Sequence, residues 1–271
     1  MEDIKLDNVE ETLFVPMRGR VFASKYHQDI LYDEKALEIA DKLPSKYMDY
    51  SKETEYTLLA SATRSKNMDM KVQEFLKTNP TGCIINLGAG LETTYHRNNN
   101  NQAKWYELDL EEVTTLRNNI IGQNDLDEII TYSMFDYEWI KYVKTNHPGP
   151  YMILVSGIFY YFKMNEVLDL LNNLNKLEKV EIVFDCVSST GIKFTRKYMK
   201  NLDKEDALMY FYVDNVNKLV KNIDNAHIIS VDDFYRKVNT KNLKLKTVLS
   251  MKISDKFHMV KLIHLKLNNN K

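Results

Sequence analysis

From about position 83 the chain alternates short apolar runs with segments of helical spacing. Cys83 to Leu87 is an apolar run closed by Gly88, the pattern of a strand buried on both faces. Lys104 to Leu108 predicts a second strand and Glu111 to Ile121 a helix; Glu128 to Tyr132 predicts a third strand and Tyr137 to Lys144 a short helix. The stretch PYMILVSG (150–157) is the clearest buried strand, and NEVLDLLNNLNKL after it carries leucines at helical spacing. KVEIVFDCV (179–187) predicts a fifth strand. Strands and helices alternating at these distances predict a parallel sheet with helices on both faces.

The two ends read differently. Residues 1 to about 80 are mainly helical by pattern, with amphipathic spacing in DEKALEIADKL and MDMKVQEFLKT, and predict a cap packed on the sheet. Near the carboxy terminus, LKTVLSMKIS and HMVKLIHLKL flank Asp255-Lys256 and predict a hairpin that ends the sheet with antiparallel strands. The first half of ALMYFYVDNVNKLV reads as extended and the second as helical. No repeat of 20 to 50 residues is present, and the run Asn98 to Asn101 predicts an exposed loop. The expectation is one α/β, doubly wound, Rossmann-like domain over residues 1–271, with a helical cap at 1–80 and the core at 81–271.

Composition narrows the functional classes. The chain has 271 residues, 44% of them hydrophobic, which suits a globular domain. A formal net charge of −1 provides no field for nucleic acid or an anionic membrane, so neither is expected as a partner. The opening Met1-Glu2-Asp3-Ile4-Lys5 does not resemble a targeting leader, and no apolar run is long enough to span a bilayer. Cys83 and Cys186 lie in apolar segments and read as buried free thiols of a cytoplasmic protein, without neighbours for a metal site.

The candidate chemistry begins at NLGAGLETTYHR (86–97). A strand ending in Gly-x-Gly lets a ligand approach bare backbone at the carboxyl edge of a doubly wound sheet. A dinucleotide fingerprint places a third glycine where this chain has Thr93, so the glycines alone leave the cofactor open. The next strand, WYELDLEEV, supplies Glu107 and Asp109 about 20 residues on, where an acid grips a ribose diol. The same two residues also fit a solvent face and a helix cap.

Together with SMFDYEW, VSGIFYYF and FDCVSSTG, these stretches resemble the leucine carboxyl methyltransferase-like family, nearest its bacterial and archaeal polyketide O-methyltransferase-like branch, from about residue 12 to 267. The resemblance implies a class I methyltransferase sheet that binds S-adenosylmethionine. It implies that Gly88, Ala89 and Gly90 face the methionine and ribose, that Asp109 holds the ribose hydroxyls and that Leu110 lies against the adenine. Ser133, Met134 and Asp136 match the segment bordering the adenine. Arg64 matches an arginine that pairs with the cofactor carboxylate, with Lys25 as a looser companion. Ser156 stands at a cofactor-side position where many members carry a glutamate, which implies that a carboxylate is missing there.

Methyl transfer from a sulfonium is an in-line displacement, so the protein supplies geometry and excludes water. Tyr160 and Tyr161 in GIFYYF are the candidate substrate contacts, with aromatic core packing as their other reading. None of the histidines stands convincingly at a strand's carboxyl edge, so no general base is assigned. That favours an acidic oxygen nucleophile. The expectation is an O-methyltransferase acting on a carboxylate or hydroxyl of a small molecule, beside two rivals. One is a catalytically silent binder of the same cofactor, and the other a nicotinamide reductase. Oligomeric state is not legible.

Overall fold

Five parallel strands form the centre of the sheet: β1 (Cys83–Leu87), β2 (Lys104–Asp109), β3 (Asp127–Thr131), β4 (Tyr151–Val155) and β5 (Val180–Val187). With β6 (Ala226–Asp233) and β7 (Val260–Leu267) they make a seven-stranded sheet in the order β3-β2-β1-β4-β5-β7-β6. The computed structural model describes residues 13–201 and 208–267; the opening residues read above for a leader, and Ala207, lie outside the described residues.

Side chains leave the strands alternately to two apolar layers. Ile85, Leu87, Ile153, Val155, Ile182 and Phe184 join one layer, covered by α6 (Glu138–Asn146), α7 (Met164–Asn173) and α9 (Val216–Val220). Ile84, Trp105, Met152, Leu154 and Val183 join the other, covered by α3 (Glu55–Thr78) and α4 (Thr94–Asn98). Burial on both faces explains why β1 and β4 read as continuous apolar runs. Both cysteines are free and buried, and burial pushes both thiols up from their usual range.

Ahead of the sheet, α1 (Phe14–Tyr26), α2 (Glu34–Lys42) and α3 are helical as expected; α1 packs along α3 and α2 along α1. Asp33 caps α2 by accepting the Ala36 N–H at 2.9 Å. Among the described residues no helix is long and apolar enough to cross a membrane.

At the carboxy terminus the sheet ends with antiparallel strands, but not the pair that the pattern named. β7 lies antiparallel between β5 and β6, whereas LKTVLSMKIS belongs to helix α10 (Leu245–Lys256). Its buried positions, Thr247, Met251 and Ser254, fall at helical spacing, while Leu245, Leu249 and Ile253 stand exposed. Three apolar residues on the solvent side hid the helical period and mimicked alternation.

The order reverses between β1 and β4, where chain crossings leave in opposite directions and open a crevice at the strand ends. Its walls depend on the packing beneath. Ile153→Ala in β4 should lower the unfolding free energy by about 2–5 kcal/mol in urea denaturation, and Leu249→Ala on the exposed face of α10 by less than about 0.5 kcal/mol.

Candidate active site

Beyond Leu87 the chain turns under the crevice with Gly88 and Gly90 at φ 65° and 50°, a region costly to residues with a Cβ. A Cβ on Gly88 would stand 2.3 Å from Ile158 Cδ1, so a side chain there would have to displace Ile158 as well as adopt a strained backbone. The Gly88 and Ala89 N–H groups donate to the Leu108 carbonyl at 2.9 and 3.0 Å, tying the turn to β2. Asp109 at the end of β2 accepts the Gly90 N–H at 2.8 Å through Oδ2 and the Leu110 N–H at 2.8 Å through Oδ1. Its carboxylate is thereby fixed at the rim of the crevice.

Three arginines hold the turn from below. Arg117, fully buried on α5 (Glu111–Ile120), donates to the Gly90 and Glu92 carbonyls at 3.0 and 2.7 Å. Arg20 on α1 donates to the Leu91 carbonyl at 2.6 Å and to Glu92 Oε2 at 3.1 Å. Arg97 on α4 reaches Glu92 Oε1 at 2.9 Å, Asp33 at 2.6 Å and Asp69 at 2.8 Å. Burial alone would raise the Glu92 carboxyl, but Arg20 and Arg97 outweigh it and hold the group well below the usual carboxylate range. Burial pushes Asp69 up, against the pull of Arg97.

Glu107, one of the two acids read from the sequence, is not at the rim. It is fully buried, accepts from Asn86 Nδ2 at 3.0 Å and lies 3.2 Å from Arg117 Nη2. Burial raises its carboxyl to about 8 in spite of Arg117. It supports Arg117 and does not face the crevice, so the alternating pair resolves into one structural acid and one rim acid.

The crevice opens into a cavity of about 500 Å³, a size that suits a small organic ligand. Arg64, Gly88, Ala89, Gly90, Asp109 and Leu110 line it, and so do Ser156, Tyr160 and Tyr161. Ser133, Met134 and Asp136 do not. Met134 is buried, its carbonyl accepting from Trp139 Nε1 at 3.1 Å; Ser133 Oγ accepts the Phe135 N–H, and exposed Asp136 accepts the Glu138 N–H at the start of α6. The residue before them meets the rim, as the Tyr132 N–H donates to the Asp109 carbonyl at 3.1 Å. Lys25 is exposed on α1 and is not part of the lining.

Opposite the glycine turn, β4 ends at Ser156 and Gly157. No carboxylate takes the place of Ser156 in the lining; the nearest acid lies one strand over, buried behind it. Asp185 on β5 accepts the Gly157 N–H at 2.7 Å and the Tyr160 hydroxyl, and its Oδ2 lies 2.8 Å from Arg64 Nε. Burial and Asp185 together push the Tyr160 phenol well above its usual range, so it stays a proton donor. No histidine among the described residues lines the cavity.

The rest of the lining is largely aromatic and apolar, including Tyr56, Phe194, Met209, Phe234 and Tyr235. Met209 comes from the stretch that reads as extended, which is tied down by the Tyr210 N–H donating to the Tyr160 carbonyl at 2.6 Å. Glu92, Arg20, Arg97 and Asp185 were not singled out from the sequence. The available signal was an acid directly after the apolar run Ile182-Val183-Phe184 for Asp185, and acids and bases within the quoted turn for Glu92 and Arg97.

Residues 14–175 match the sequence model of the family described as leucine carboxyl methyltransferase. A tetracenomycin polyketide synthesis O-methyltransferase, TcmP of Streptomyces glaucescens, is 22% identical over 220 residues, covering 80% of each chain. A crystal structure described as a methyltransferase from Thermobifida fusca superposes with a TM-score of 0.59 at 15% identity, covering 92% of this chain and 94% of that one. The magnesium protoporphyrin IX methyltransferase of Synechocystis, solved with bound SAH, gives a TM-score of 0.51 at 10% identity, covering 92% and 98%. At such identities the structural likeness is one of fold.

The ion lattice predicts a pH signature. Glu92 is ionised in the folded chain at pH values where the unfolded chain has taken up a proton, so its contribution is present above the ordinary glutamate range and is lost on acidification. Glu92→Gln should be less stable at neutral pH and should show a shallower loss of stability than the parent below about pH 4.3, measured by chemical denaturation across pH.

Proposed function

The chain belongs to the leucine carboxyl methyltransferase family, and from that premise we propose that it transfers a methyl group from S-adenosylmethionine to an oxygen of a small-molecule acceptor. The observation that carries the reading is the bare turn at Gly88–Gly90 at the β1/β4 crevice, with Asp109 fixed beside it. In this reading the turn lies under the methionine and ribose, Asp109 accepts from the ribose hydroxyls and half-exposed Leu110 lies against the adenine. Arg64 pairs with the cofactor carboxylate through the nitrogens that Asp185 does not hold. The assignment of Ser133, Met134 and Asp136 to the adenine has no support in the cavity lining and is not carried forward.

When bound, the cofactor supplies an electrophilic methyl group on a cationic sulfur. The protein's own work is to align the acceptor oxygen with that carbon and to keep water out. A phenol acceptor needs a base, and the lining supplies little to serve: no histidine among the described residues, a Tyr160 hydroxyl committed to Asp185, and an Asp109 held by two backbone N–H groups. A carboxylate is already ionised near neutral pH. That chemistry favours an acidic oxygen over a hydroxyl, and the aromatic walls favour an acceptor with an apolar body.

Two rivals lose ground. The dinucleotide reading needs a small, non-bonding residue at position 93, but Thr93 is buried and its hydroxyl donates to Asp33. The silent-binder reading drew on Ser156, where no carboxylate lines the cavity, and it loses ground on the family match over residues 14–175. The proposed setting is the cytoplasm, with a small molecule, not nucleic acid or a membrane, as partner.

Calorimetric titration with S-adenosylhomocysteine tests the shared premise. The parent protein should bind it, and Asp109→Ala should weaken binding by about tenfold, the effect of losing charge-assisted hydrogen bonds worth about 1.4 kcal/mol. A parent protein without affinity for the compound, or one that binds a nicotinamide dinucleotide in its place, contradicts the proposal.

A further inference from the structure

We propose that Asp185 is a positioning residue that presets the Arg64 guanidinium for the carboxylate of the cofactor's amino-acid half; this rests on the cofactor reading above. Asp185 is an acid in a strand whose other inward positions are apolar, and it is 1% exposed. A buried carboxylate persists only when its oxygens are paired, so its partners show what it is for.

Those partners converge on one corner of the cavity. The β4–β5 register ends with Val155 opposite Phe184, which sets Ser156 and Asp185 side by side at the sheet's edge. Oδ1 takes the Gly157 N–H and fixes the turn after β4, while Oδ2 takes the Tyr160 hydroxyl and pairs with Arg64. Gly157, at φ 73°, lies directly against the guanidinium, since a Cβ there would stand 2.4 Å from Arg64 Nη1. Arg64 is therefore ion-paired at Nε with the acid, without an aligned hydrogen bond there, and packed at Nη1 against bare backbone, at a position lining the cavity.

Two opposite effects follow from such a neighbour. Asp185 competes with any other anion for the arginine, which weakens binding. It also removes the side-chain freedom that an unheld arginine would lose on binding, and a planar fork gains most from being held in register with a carboxylate. The multiple contacts on Asp185 favour the second effect, because the acid orders the turn and Tyr160 as well as the arginine. The sign of its removal separates the two.

The experiment compares two ligands in Asp185→Asn, which keeps the size of the side chain and removes its charge. S-adenosylhomocysteine carries the amino-acid carboxylate; 5′-methylthioadenosine lacks it and reports on the nucleoside half alone. Affinity for S-adenosylhomocysteine should fall by about tenfold while that for methylthioadenosine stays within about twofold. In an Arg64→Gln background the same substitution should no longer change the ratio of the two affinities. Equal losses for both ligands would assign Asp185 to general support of the fold, and unchanged or tighter binding of S-adenosylhomocysteine would make it only a competitor; either result overturns the proposal. If Asp185→Asn does not fold, Tyr160→Phe takes its place: a selective loss of about threefold for S-adenosylhomocysteine supports the proposal, and an equal or absent effect overturns it. A parent protein that binds neither ligand would instead overturn the cofactor reading.

Discussion

The site depends on how a buried turn satisfies its own backbone. The residues after β1 leave the sheet as bare main chain, and the carbonyls of Gly90, Leu91 and Glu92 point into protein, not into water. Each would cost about 1–3 kcal/mol if left unpaired. Arg117 and Arg20 donate to all three carbonyls, and Asp109 accepts the Gly90 N–H from the other side. A backbone held at both edges keeps one shape, and a ligand meets a surface that is already formed.

This support in turn demands the rest of the architecture. Arginines buried to this degree need counter-charges, and Asp33, Asp69 and Glu92 provide them to Arg20 and Arg97 from three different segments of the chain. Asp33 joins Arg20, Arg97 and Thr93 while capping α2, so the amino-terminal helices are tied through one carboxylate to the floor of the cavity. Such buried pairs add little net stability against an apolar replacement, yet removing one partner costs about 3–5 kcal/mol. Their value here is geometric. They fix the cap, the glycine turn and the end of β2 in one arrangement.

The parts legible in the sequence were those set by local periodicity. β1 and β4 were readable because burial on both faces makes them almost wholly apolar, and the glycine turn because positive φ restricts the residue type. Asp109 was legible from its distance along the chain, although Glu107 could be separated from it only by burial. α10 was misread because its exposed face carries Leu245, Leu249 and Ile253, which made its period look like that of a strand. The arginine lattice was not legible, since its bonded partners lie up to 72 residues apart and meet only after the cap has docked. The place of Asp185 behind Ser156 is a relation between neighbouring strands, visible only once the β4–β5 register is known.

A crystal structure with S-adenosylhomocysteine bound measures the central claim directly. The account requires the sugar hydroxyls within hydrogen-bonding distance of Asp109, the amino-acid carboxylate at Arg64, and the main chain of residues 88–92 unmoved from its ligand-free path. A ligand lying elsewhere, or a glycine turn that must refold to admit it, would contradict the idea that the buried arginines build this surface in advance.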